Sequence, residues 1–108
     1  MQYTYNITFI VSPAKESEFI EFLSEEFIPT VCRPESKAMN PEMKKVVESG
    51  GEKVDTEHGV SIAFSVSFPD EEQARKWYDY TLGDALMYVN EKFGEEALFF
   101  ITMLRNLN

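Results

Sequence analysis

Cysteine is almost missing from this chain. Cys32 stands alone among 108 residues, so no intramolecular disulfide can form and the fold owes nothing to oxidation. A reducing cytoplasm is the expected location. Basic residues are scarce, ten against nineteen acidic ones, for a net charge of −9. That field repels phosphate backbones and anionic headgroups, so neither nucleic acid nor a membrane surface is an expected partner. No apolar run approaches the length of a membrane-crossing helix. The opening Met1-Gln2-Tyr3-Thr4-Tyr5 lacks the basic and apolar regions of a signal peptide. Histidine occurs once, at His58, and there is no P-loop, dinucleotide glycine motif, zinc-ligand spacing or serine-nucleophile elbow. No cofactor and no metal are expected. Repeats, low-complexity tracts and linkers are absent too, which predicts one domain over residues 1–108.

Aromatic residues, by contrast, are plentiful: nine Phe, five Tyr and one Trp, enough large side chains for a dense core. Residues 3–11 alternate, with Tyr3, Tyr5, Ile7, Phe9 and Val11 on one face and Thr4, Asn6 and Thr8 on the other, the period of a half-buried strand, predicted over 2–11. Ser12-Pro13 then signals a helix start, with Ser12 as N-cap. The helix is predicted over 13–27, with Phe19, Ile20, Phe22, Leu23 and Phe27 as its apolar stripe and Pro29 as its stop. Residues 30–42 read as irregular, 43–49 as a weak strand, and Gly50-Gly51 as a turn opening a polar loop to Gly59. A strong strand follows at 59–68, with Val60, Ile62, Phe64, Val66 and Phe68 opposite Ser61, Ala63, Ser65 and Ser67. Asp70 and Gln73 have capping-box spacing, the helix they open runs over 70–92, and Gly94 is placed to cap its end. The last strand, 96–105, is apolar on both faces.

The order βαββαβ predicts an α+β, ferredoxin-like fold: a four-stranded antiparallel sheet with both helices on one face, the first and third long strands central and the last at an edge beside the first. The expected core is Ile7, Phe9, Phe19, Leu23, Ile62, Phe64, Val66, Trp77, Leu86 and Phe100. Leu98, Phe100 and Leu104 are assigned to the helix side. Phe99, Ile101 and Met103 are assigned to the open side, next to Asn6, Thr8, Ser61 and Ser65. Those seven residues form the candidate ligand-binding surface, polar groups among apolar walls. The uncovered apolar row equally predicts a homodimer joined by that face.

Short motifs resemble a family of small bacterial proteins with no assigned activity. Tyr5-Asn6-Ile7-Thr8 is similar to its Tyr-Asn-(Val/Ile)-Thr opening, and Glu25-Glu26-Phe27-Ile28-Pro29 to its Glu-(Glu/Val)-His-Ile-Pro segment. Gly59 to Phe68 resembles its Gly-Val-x-Tyr-Ser-Val-Gln-Tyr strand, and Phe93-Gly94 with Phe100 and Thr102-Met103-Leu104 its Phe-Gly…Phe-Arg-Thr-x-Leu close. The resemblance implies a subunit of the dimeric α/β-barrel type. Phe27 replaces that family's histidine and Ile101 its arginine.

Individual reactive residues carry little. His58 lacks a second base or ligand nearby and reads as a surface histidine. Cys32 has only Arg33 adjacent and reads as an unreactive thiol. Glu21, Glu25 and Glu26 lie on a solvated helix face, and Trp77 and Tyr78 belong to a core stripe. Two functions follow: a non-enzymatic homodimer that binds a small molecule on its open sheet face, or, by fold analogy alone, a cofactor-independent oxygenase or isomerase.

Overall fold

The computed structural model describes residues 2–54, 57 and 59–107, so His58 lies outside the described residues. Strands β1 (Tyr3–Val11), β2 (Met39–Lys45), β5 (Val60–Phe68) and β6 (Ala97–Arg105) form an antiparallel sheet of order β2-β5-β1-β6. Between β2 and β5, the short strands β3 (Glu48–Ser49) and β4 (Glu52–Lys53) pair as a hairpin. Its turn is Gly50-Gly51, both at positive φ (63° and 83°), the backbone that a two-residue hairpin loop demands and that glycine adopts without a side-chain clash.

The alternation in β1 and β5 does what its period requires. Ile7 pairs with Phe64 and Phe9 with Ile62, and all four are buried. The rings of Phe19 and Phe27 from the first helix pack on Phe9, and Trp77 from the second packs on Tyr5 and Phe68. Both helices therefore cover the same sheet face, and the core lies between. Nine of the ten expected core residues are buried. The exception is Phe100, which is exposed.

The first helix departs from expectation at both ends. Ser12 makes no side-chain cap; a 3₁₀ turn, Pro13–Lys15, leads into the α-helix Glu16–Phe22. The helix then passes through a π turn, Leu23–Phe27, and continues as α-helix over Ile28–Val31, straight through Pro29. The π turn explains why proline does not stop it. Ordinarily the ring of Pro29 collides with the carbonyl four residues back, that of Glu25. Here the Ile28 N–H reaches back five residues to the Leu23 carbonyl, and the wider turn makes room for the ring. The second helix has the same build: α-helix Glu71–Trp77, π turn Tyr78–Leu82, α-helix Gly83–Phe93. Asp70 caps it as expected, accepting the Gln73 N–H at 2.9 Å, and Gly94 ends it at φ 57°.

β2 spans 39–45 rather than 43–49. Its register shifts between Met39 and Glu42, around Asn40 at φ 51° and Pro41. Proline has no N–H to give a ladder, so a bulge on an edge strand is where a sheet tolerates it.

β6 differs most from its expected arrangement. Phe99 pairs with Phe9, Ile101 with Ile7 and Met103 with Tyr5, so this row lies on the helix side. Ile101 and Met103 pack against the core, and the Phe99 ring sits 6.2 Å from that of Phe9. The open side instead carries Leu98, Phe100, Thr102 and Leu104. A strand apolar on both faces has no alternation to orient it; pairing with β1 alone decides, and a shift of one residue exchanges the rows.

Candidate functional site

The fold leaves two candidate surfaces, one on each side of the sheet. The first is the open sheet face. Its centre is a carpet of small polar side chains from β1 and β5. Asn6 lies opposite Ser65 and Thr8 opposite Ala63. The Asn6 amide donates to Thr8 Oγ1 at 3.0 Å, and Thr4 Oγ1 and Ser67 Oγ share a hydrogen bond of 2.8 Å. Toward β2 the carpet ends in a Lys44–Glu42 ion pair at 2.9 Å. Toward β6 it ends in a row of large apolar groups, Ile10, Leu98, Phe100 and Leu104, which are 39, 57, 54 and 49 % exposed. Of the residues expected here, Asn6, Thr8, Ser61 and Ser65 are present; Phe99, Ile101 and Met103 are not, and Phe100 and its two neighbours in the row take their place.

The second surface is a cleft of about 540 Å³ on the outer side, between the helices. Its floor is the buried edge of the core: Phe22, Phe27, Trp77 and Ala85. Trp77 Nε1 donates to the Val31 carbonyl at 2.7 Å and holds the helices together at one end. At the other end Glu26 accepts from Lys92 Nζ at 3.0 Å and from the Tyr88 hydroxyl at 3.3 Å. The hydrogen bond to Glu26 holds the Lys92 ammonium above its ordinary pKa. Between these two ties the walls carry Thr30, Arg33, Tyr80, Thr81 and Asp84. The sequence carries only a trace of the cleft: Tyr80, Asp84 and Tyr88 recur every four residues and so share one helix face.

Of the other candidates, Glu21 and Glu25 are exposed, as expected for a solvated face. Cys32 is partly buried, and burial pushes its thiol up to about 11, away from reactivity. No group of three metal-ligating side chains occurs among the described residues, and none of their helices is long and apolar enough to cross a membrane.

Solved structures share this fold at low sequence identity. An ethyl tert-butyl ether d (EthD) family protein from Bacillus halodurans C-125 superposes with a TM-score of 0.66 at 16 % identity, over 97 % of this chain and 99 % of its own. A dimeric ferredoxin-like protein from an uncultured marine organism gives 0.60 at 11 %, over 99 and 96 %. The de novo designed protein Foldit4 gives 0.62 at 11 %, over 98 and 99 %. These likenesses establish the ferredoxin-like α+β architecture and nothing about chemistry, since a designed protein shares it equally. Comparison with curated proteins finds no match. The sequence itself matches one family from residue 2 to residue 107, and on that span the chain belongs to the family described as Domain of unknown function (DUF4286).

Proposed function

We propose that this chain acts as a single-domain, non-enzymatic homodimer in the cytoplasm, two copies meeting through their open sheet faces. Asn6, Thr8, Ser61 and Ser65 then line the space between the sheets, where a small molecule can be held. One observation carries the reading: Ile10, Leu98, Phe100 and Leu104 form an exposed apolar row, broken only by Thr102, along one side of a face whose centre is made of small polar groups. Such a row costs free energy in water, and a two-fold axis through the face covers each row with its counterpart. Full burial of a large apolar side chain is worth about 1.5–3 kcal/mol, so four that start roughly half exposed contribute about 3–6 kcal/mol per protomer. Association costs of about 4–15 kcal/mol oppose the two contributions together, which places the dimer in a range that one substitution can abolish. The dimeric ferredoxin-like neighbour supports the same reading by analogy.

The test is Phe100→Arg, which puts a charge in the middle of the row without touching the core. It is expected to yield a folded monomer on gel filtration. A Phe100→Arg protein that elutes identically to the unmodified chain, with both as dimers, would show that the pairing surface lies elsewhere.

A further inference from the structure

We infer that the cleft between the two helices binds a small organic ammonium ion with an apolar body. The cleft lies on the opposite side of the sheet from the proposed dimer face and is independent of it. At about 540 Å³ it falls in the size range of small-molecule sites. Both helices turn π-helical where they border it: Leu23–Phe27 contributes Glu26 and Phe27 to the lining, and Tyr78–Leu82 contributes Tyr80 and Thr81. Two π turns facing one cavity give up regular backbone hydrogen bonding at the same place, a pattern concentrated at functional sites.

The charges of the cleft select a cation. Glu26 is already engaged by Lys92, and Lys76 pairs with Glu72 at 3.2 Å. Asp84 and Glu35 form no ion pair among the described residues, nor does Arg33, leaving an excess of negative charge. Asp84 stands one helical turn from both Tyr80, which is 79 % exposed, and Tyr88. A carboxylate one turn from the open ring of Tyr80 suits an ammonium group, which donates to the carboxylate and is attracted by the ring face, while the Tyr88 ring is packed on that of Phe22 at 5.7 Å. The net charge of −9 draws cations toward the whole molecule and repels anions. The body of the ligand lies against the exposed Tyr80 ring, above a floor formed by the almost fully buried Phe22, Phe27 and Trp77.

Trp77 is the only tryptophan, so its fluorescence reports on the cleft floor. The experiment titrates the full chain with phenethylammonium and, as a similarly shaped anion, with phenylacetate. A saturable change is expected for the cation, with affinity for the anion weaker by about tenfold or more. Asp84→Asn should weaken phenethylammonium binding by about tenfold, the scale of one charge-assisted hydrogen bond, with an unchanged circular dichroism spectrum. Asp79→Asn, on the same helix outside the cleft, should leave binding as it was, as should Phe100→Arg. No saturable response to phenethylammonium, equal affinity for phenylacetate, or full affinity in Asp84→Asn would each overturn the assignment.

Discussion

At the scale of single residues, burial decides more than chemical type. Cys32 is the plainest case. Its thiol is raised from 9.0 to about 11 by burial. At about pH 8 its thiolate fraction is therefore roughly a hundredfold below that of the unfolded chain, and alkylation by iodoacetamide should be slower in the folded protein by a similar factor. Equal rates with and without denaturant would show the thiol to be unshielded. The linked effect on stability has a definite sign. The unfolded chain releases this proton first, so stability is unaffected by it below pH 9.0 and declines as pH rises toward about 11. Two phenylalanines make the complementary point. Phe64 is fully buried with its ring 5.6 Å from that of Phe27, and Phe64→Ala should cost about 3–5 kcal/mol in denaturant unfolding. Phe100 is more than half exposed, and Phe100→Ala at a dilution that keeps the chain monomeric should cost about 1 kcal/mol or less. Similar losses at both positions would show that β6 is turned the other way.

At the scale of elements, local signals are strong where one physical requirement stands alone and weak where two compete. Asp70 is a clean signal, and its bond to the Gln73 N–H is confined to the helix start; Asp70→Ala should lower stability by about 1 kcal/mol, read as a shift of the unfolding midpoint. No shift would mean that the cap is made by water instead. β1 and β5 were equally legible, because each alternates apolar and polar residues and only one face of each can be buried. β6 was not, since Phe99, Ile101 and Met103 are as apolar as Leu98, Phe100 and Leu104 and only the pairing with β1 separates them. Pro29 misled for a different reason. Its usual effect presumes an α-helical carbonyl four residues back, and a π turn is a property of the backbone that no side-chain pattern announces. The cleft between the helices was hidden with it, because spacing along a helix reveals which residues share a face but not how far the neighbouring helix stands from it. Of the candidate site, the polar half could be read from β1 and β5, whereas the apolar half was assigned to the wrong row.

At the scale of the whole molecule, the chain is a slab of 39 × 33 × 18 Å, one helical layer on one sheet. Such a two-layer build buries one sheet face and leaves the other to water or to a partner. In this sequence the second face is neither uniformly polar nor uniformly apolar, and its apolar part is four side chains at and beside an edge strand, with Thr102 between Phe100 and Leu104. Exposed apolar patches of this kind invite cover by a partner. The charge of −9 per copy opposes association at long range, but screening confines that repulsion to roughly 8–10 Å at physiological salt, so the apolar row governs close contact. Lowering the salt should accordingly weaken the dimer. Sedimentation equilibrium of the unmodified chain at micromolar concentration and physiological salt tests the pairing most directly. The dimer predicts a mass of twice 12.5 kDa that falls on dilution, whereas a constant mass of 12.5 kDa across the micromolar range would contradict it.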